Sequence, residues 1–282
     1  MIPTVPRHVL LDVVRRALAE DLGGRGDLTG QATLPADLEG AYTVRARARG
    51  RLAGSHAARL AFPEIDPSLR LEGWLDDGAE LEPGTVIGRI AGPVRAILAA
   101  ERVALNLLGR LSGIATLTAR FVAAVDGTGA AIVHTRKTTP GLRALELAAV
   151  AAGGGAMHRF GLDDAILIKD NHVAACGGVG EAVRRATAFA GHMTRIAVEI
   201  DRLDQFDEAL QAGAGSVLLD NFSNEDLRAA VERVRDRSIT LEASGNVTLD
   251  TVRAIAETGV DVISIGALTH SAPNLDVGLD DA

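Results

Sequence analysis

This chain of 282 residues has little cysteine, little lysine and no long apolar stretch. Its one cysteine, Cys176, rules out an intramolecular disulfide and suits a reducing compartment. No segment approaches the roughly 18 unbroken apolar residues that mark a membrane span. The opening stretch MIPTVPRHVLLDVVRRALAEDLG disperses arginines and acids through an amphipathic pattern, unlike a signal peptide. These absences predict a cytoplasmic protein with no spanning helix. The seven histidines have no HxxxH or HExxH spacing, which argues against a dedicated zinc site. Basic residues are outnumbered, 29 against 37 acidic ones, for a net charge of -8. With a pI near 5.4, the main partner is neither nucleic acid nor an anionic membrane, although a local basic pocket for a small anion remains compatible.

The lysine shortage is the most informative of these. Only Lys137 and Lys169 occur among the 29 basic residues, so arginine supplies the other 27. A compact, hydrated point charge on a flexible stem can do what a planar guanidinium cannot, and two retained lysines therefore mark candidate chemistry.

What the chain does have is core: 47% of its residues are hydrophobic, enough for one large domain or two. Its character changes near residue 115. Before that point lie a helical N-terminus, short strand patterns broken by turn signals such as DDG and EPGT, and a long apolar helix from PVRAIL onward. Trp74 and Tyr42 fall here as structural residues. From residue 130, short apolar runs recur: AAIVHT, AILIKD, RIAVEID, SVLLDNF, ITLEASG and VISIGAL. Helical patterns separate several of them, including SNEDLRAAVERV with a capping Ser or Asn and TLDTVRAIAETG ending at Gly259. Alternating strand and helix predicts parallel strands in a barrel or an open sheet.

Each run stops at residues suited to chemistry. The stops are Thr135, Arg136 and Lys137; Lys169 and Asp170; Glu199 and Asp201; Asp220 and Asn221; Glu242, Ser244 and Gly245; and Ser264 and Gly266. In a parallel barrel those ends converge on the catalytic face. Arg136, Lys137, Arg159 and Lys169, with His158 and His172 close by in sequence, form a cationic set for a multiply anionic ligand. Glu199 and Asp220 add carboxylates that suit a bridging divalent metal or a cation developing during reaction. The EASG and SIGA stretches offer backbone N–H groups for a phosphate.

The blocks TRKTTPGLRALE, GGGAMHRFGLDDAILIKDNH, VEID, LLDNF, EASGNV and GVDVISIGALTHS resemble, in order and spacing, the quinolinate phosphoribosyltransferase family. ALAEDLGGRGDLT and ERVALNLLGRLSGIAT extend the resemblance over nearly the whole chain. The resemblance implies an α/β fold, with an N-terminal α/β sandwich domain at 1–114 and an incomplete, about six-stranded parallel α/β barrel at 115–270. The tail, 271–282, packs on the first domain in this reading. It implies transfer of phosphoribosyl from phosphoribosyl pyrophosphate to quinolinate, with Mg2+. The products are nicotinate mononucleotide, pyrophosphate and CO2. It further implies a homodimer in which Arg102 completes the partner's site.

By the same resemblance, Arg136, Lys137, His158 and Arg159 bind the quinolinate carboxylates with Arg102, and Thr135 and Lys169 contact substrate. Glu199 and Asp220 stand near the ribose and, through pyrophosphate and water, the metal. Lys137, Lys169, Glu199 and Asp220 are the catalytic set. Ser244, Gly245, Asn246, Ser264, Ile265 and Gly266, with His270, hold the 5′-phosphate. His158 and Lys137 are both candidates for the proton donor that follows decarboxylation. The sequence departs from the family pattern at Leu147 and Ala148 in ELAAV, at Met157 before the His-Arg pair, and at His134 before TRK. Three other readings stay open: a barrel lyase with a Schiff base on Lys169, the related protein associated with molybdenum transport, and a non-catalytic paralogue.

Overall fold

The computed structural model describes residues 4–234 and 239–282. It divides into two compact units, the first formed by Met1–Ala119, Thr138–Gly154 and Ala267–Ala282, the second by Arg120–Lys137 and Gly155–Gly266.

The first unit begins with α1 (Arg7–Leu22), α2 (Leu28–Thr33), β1 (Glu39–Ala46), β2 (Gly50–Arg51) and α3 (Ser55–Ile65). Three short strands follow, β3 (Arg70–Glu72), β4 (Glu80–Leu81) and β5 (Val86–Pro93), and then the long α4 (Val94–Ala124). The C-terminal β12 (Val277–Asp281) returns to pair antiparallel with β1, giving a four-stranded sheet of order β12-β1-β5-β3. On α1, Leu10, Leu11, Val14 and Leu18 are buried at helical spacing, and the helix packs on α3. Trp74 is structural. It lies against Gly88 of β5, where a Cβ would come within 2.4 Å of the indole, and its ring meets Phe62 at 6.1 Å between centroids.

Helix α4 has 31 residues. By length and composition it is the one helix among the described residues able to cross a membrane, which departs from the expectation drawn from run length. More than half of its most apolar stretch is buried inside the protein, so it is read here as a core helix. Polar groups on it dock neighbours: Ser112 Oγ accepts from Ala53 N–H at 3.0 Å and Thr116 Oγ1 from Arg51 N–H at 2.9 Å. Gly113 lets the C-terminal segment approach, since a Cβ there would lie 2.0 Å from the Pro273 carbonyl oxygen. From α5 (Arg143–Ala152), the fully buried Glu146 accepts from Arg110 Nη2 at 2.9 Å and from Thr139 N–H at 3.0 Å.

The second unit is a parallel sheet. Its strands are β6 (Ala131–Val133), β7 (Ile166–Ile168), β8 (Ile196–Ile200), β9 (Ser216–Asp220), β10 (Thr240–Ser244) and β11 (Val262–Ser264). All six apolar runs of the sequence are therefore strands, in the order β6-β11-β10-β9-β8-β7. Helices α6 (Asp170–Cys176), α7 (Val179–Phe189), α8 (Leu203–Gln211), α9 (Asn224–Arg233) and α10 (Val252–Ala256) connect them, and α11 (Ala267–His270) follows in the first unit. Ser223 caps α9, accepting from Asp226 N–H at 3.1 Å. The consecutive strands β6 and β7 stand at opposite edges because the one helix between them, α5, belongs to the first unit and provides no crossover. Besides its pairing with β11, β6 has one isolated bridge among the described residues, Val133 to Ala156.

Candidate active site

Strand register builds the site. β8 pairs Glu199 with Leu218 of β9, and β10 pairs Glu242 with the same Leu218. Residues in register on neighbouring strands face the same side, so these three form one row. Two residues further along, Asp220, Ser244 and Ser264 are in register and form a second row on the same face. All six line one pocket of about 390 Å3. The intervening Val217, Leu219, Leu241 and Ile263 face the other way and are at most 1% exposed.

Both edges of the sheet contribute to this pocket. Thr135, Arg136 and Lys137 follow β6, while Leu167 and Lys169 come from β7 and its end. The sheet therefore curls into an incomplete barrel, open between its first and second strands. Ile168 pairs with Val198, which brings Lys169 level with Glu199, and Lys169 Nζ forms an ion pair with Glu199 Oε2. His158 and Arg159 enter from the segment between the Ala156 bridge and β7.

The electrostatics favour an anion. Burial pushes the Arg159 guanidinium below the usual arginine range, and the neighbouring Arg136 pushes it further, against the pull of Asp164, Glu199 and Glu242. Two like charges sharing a partly desolvated wall are relieved by a bound carboxylate or phosphate. Beneath them, His158 Nε2 lies 3.2 Å from Glu242 Oε2, and the His158 backbone N–H donates to His134 Nε2 at 3.0 Å. His134 is fully buried, and because its Nε2 accepts, the ring proton is on Nδ1.

The pocket thus gathers Thr135, Arg136, Lys137, His158, Arg159, Lys169, Glu199, Asp220, Ser244 and Ser264 from the residues singled out by sequence. Gly245, Asn246, Ile265 and Gly266 follow β10 and β11 outside that lining, Ile265 being 2% exposed in the core. Arg102, exposed on α4, and His270, exposed at the end of α11 with Nδ1 2.7 Å from Ser271 Oγ, belong to the first unit. His172 departs from the expected cationic set: its Nδ1 accepts the Lys169 backbone N–H at 3.1 Å, at the start of α6. Cys176 is half-buried and not part of a core, since no residue of α6 is buried.

Two residues at strand ends carry more than the sequence assigned them. Glu242 is a carboxylate between Leu241 and Ala243, two places before Ser244, and period-two alternation alone was enough to aim it at the pocket. Asn221 has φ 57°, donates its N–H to Ser244 O at 2.8 Å, and donates from Nδ2 to Asp220 Oδ2 at 2.9 Å. Gly245, at φ 100°, is required beside it, because a Cβ there would lie 2.2 Å from Asn221 Oδ1.

The chain matches the quinolinate phosphoribosyl transferase N-terminal domain over residues 27–112 and the C-terminal domain over 114–280. It belongs to the quinolinate phosphoribosyltransferase family. Among its relatives, the nicotinate-nucleotide pyrophosphorylase (carboxylating) of Mycobacterium leprae is 44% identical over 276 residues, 95% of this chain and 96% of that protein. A probable enzyme of the same name from Bacillus subtilis is 45% identical over 261 residues, 93% of this chain and 89% of its own. The structure of the nicotinate-nucleotide pyrophosphorylase from Francisella tularensis superposes with a TM-score of 0.95 at 37% identity, covering 100% of this chain and 99% of that one. The family's departures here separate physically. Leu147 is 1% exposed and is a packing residue of α5, whereas Met157 is 45% exposed and packs into no core.

Proposed function

We propose that this chain transfers the phosphoribosyl group of phosphoribosyl pyrophosphate to quinolinate with loss of CO2, giving nicotinate mononucleotide and pyrophosphate on the route to NAD. The observation that carries this reading is the pairing, in one pocket, of an Arg136–Arg159–Lys137 wall with a Glu199–Asp220 floor at parallel strand ends. Quinolinate has two carboxylates on adjacent ring carbons, which the cationic wall can hold by charge-assisted hydrogen bonds. Departure of pyrophosphate builds positive charge on the ribose, and Glu199 and Asp220 put fixed negative charge where it develops. Glu199 is oriented by Lys169, and Asp220 by Asn221.

Once the ring nitrogen is glycosylated and positive, loss of the C2 carboxylate leaves an electron pair beside it that must be protonated. Of the two candidate donors we favour Lys137, which is exposed in the pocket lining, over His158, whose Nε2 meets Glu242 and whose Nδ1 is buried. The Lys169 ion pair with Glu199 also argues against a Schiff-base lyase, because the pocket does not present that amine uncommitted.

Magnesium is part of the proposal. Among the described residues no three His, Cys, Asp or Glu side chains form a metal cage. Two carboxylates, Glu199 and Asp220, fit an ion carried mainly by substrate phosphates and water. When bound, the ion neutralises charge on the leaving pyrophosphate.

We also infer a homodimer in which Arg102 serves the partner's site. Arg102 is exposed and its side chain makes no hydrogen bond or ion pair among the described residues, as expected of a group whose ligand comes from elsewhere. A cytoplasmic location completes the reading and is checked by cell fractionation. Formation of nicotinate mononucleotide from quinolinate, abolished by a magnesium chelator and restored by added Mg2+, tests the reaction. Turnover with nicotinate in place of quinolinate, and none with quinolinate, would overturn it.

A further inference from the structure

We propose that Glu242 and His134 are positioning residues that aim Arg159 at the substrate by clamping His158 from two sides. This assignment rests on the phosphoribosyl transfer reading above.

Residues 156–161 are fixed by hydrogen bonds. Ala156 N–H donates to Ile132 O at 2.8 Å, and further on Asp164 accepts from Phe160 N–H at 2.6 Å and Gly161 N–H at 3.0 Å. Around Arg159 the side chains of Met157, Phe160 and Leu162 are 45%, 48% and 74% exposed, so apolar packing does not locate this stretch. Arg159 itself donates from Nη1 to Ala165 O at 3.4 Å, and the residue before it, His158, is held from two sides. His134, at the end of β6, accepts its backbone N–H, and Glu242, on β10, takes its ring Nε2. A carboxylate offers only acceptors, so Nε2 carries the proton in this bond.

Both clamps are buried, and that is why they point to a dedicated role. The Glu242 side chain is 8% exposed, and its Oε1 is buried without a hydrogen-bond partner among the described residues. A buried carboxylate with one oxygen unmatched is costly, and an apolar residue would be cheaper if strand packing were its only duty. His134 is 0% exposed, and its ring meets that of His158 edge-on at 6.3 Å. Held from two sides, His158 fixes the backbone from which the next residue, Arg159, enters the pocket lining that the two share.

A positioning role and a merely structural one differ in what they move. Arg159 belongs to the wall proposed to hold the carboxylates of quinolinate, whereas the strand-end groups proposed for the phosphoribosyl donor are built by β8 to β11. Loss of the clamp therefore raises the KM for quinolinate selectively. In Glu242→Ala, the quinolinate KM is expected to rise about tenfold or more, with the KM for phosphoribosyl pyrophosphate within about twofold of its starting value. Glu242→Gln, whose amide oxygen can still accept from His158 Nε2–H, recovers most of that loss. His134→Phe, which keeps an aromatic ring and removes the acceptor, repeats the selective rise and covers the case in which Glu242→Ala does not fold.

The experiment measures both KM values and the melting temperature for these variants in the full-length protein, after the unsubstituted chain has been assayed. No nicotinate mononucleotide from the unsubstituted chain would overturn the proposed function itself. Turnover by that chain, with both KM values rising together in the folded variants or neither moving, would overturn the clamp alone.

Discussion

Lys169, the residue after β7, stands level with Glu199 of the neighbouring strand β8, and their side chains form an ion pair within the pocket. One of the chain's two lysines is thus committed to orienting a carboxylate, and the other, Lys137, is exposed on the pocket's cationic edge. Lys137→Ala and Lys169→Ala are each predicted to lower kcat/KM by about a hundredfold or more with little change in melting temperature. Steady-state kinetics beside thermal denaturation checks this, and near-normal activity in either variant contradicts it.

A shared site predicts complementation. Arg102→Ala should be inactive alone and should regain activity when mixed under exchange conditions with Lys169→Ala, because one of the two composite sites then has both residues. Activity of mixed dimers, separated by tags of different size, reads the result; no recovery in verified mixed dimers removes Arg102 from the partner's site.

The Arg110–Glu146 pair is a stability determinant. Glu146 is 0% exposed and Arg110 also donates to the Ala272 carbonyl at 3.2 Å, joining α4, α5 and the C-terminal segment. Arg110→Ala leaves a buried carboxylate without its cation and should cost about 3 kcal/mol in chemical denaturation. Replacing both residues with apolar ones of similar volume should cost less than the single change.

Asp77 predicts a pH effect. Burial raises its carboxyl above the usual range, against the opposing Ser55 and Gly54 N–H groups and His56. An acid whose folded pKa is raised penalises folding once the unfolded chain has lost its proton. Its cost is therefore absent below the unfolded pKa, grows as pH rises through the window up to the folded value, and is full above it. Asp77→Asn keeps an acceptor for Ser55 N–H and should raise the melting temperature at pH 7, with the gain vanishing near pH 3. An equal gain at both pH values would show that charge burial is not the cause.

Much of this was legible in the sequence because parallel strands buried on both faces read as short apolar runs, and all six runs became strands. Their polar ends converged because register and period-two alternation leave little freedom. Long-range placements were less legible. His172 reads as a cation beside Lys169 but turns back to accept the Lys169 N–H, a local hydrogen bond that spacing alone does not reveal. The value of Glu242 depends on His158, 84 positions away in sequence. The capacity of α4 to pass for a membrane span lies in its composition, and only its burial marks it as core.

The most direct test of the account is a double-label stoichiometry. The protein is supplied with phosphoribosyl pyrophosphate, Mg2+ and quinolinate labelled in the ring and, separately, in the C2 carboxylate. The account predicts one CO2 released from C2 for each nicotinate mononucleotide formed. Well-folded protein that yields no mononucleotide, or a mononucleotide that keeps the C2 label, would contradict it.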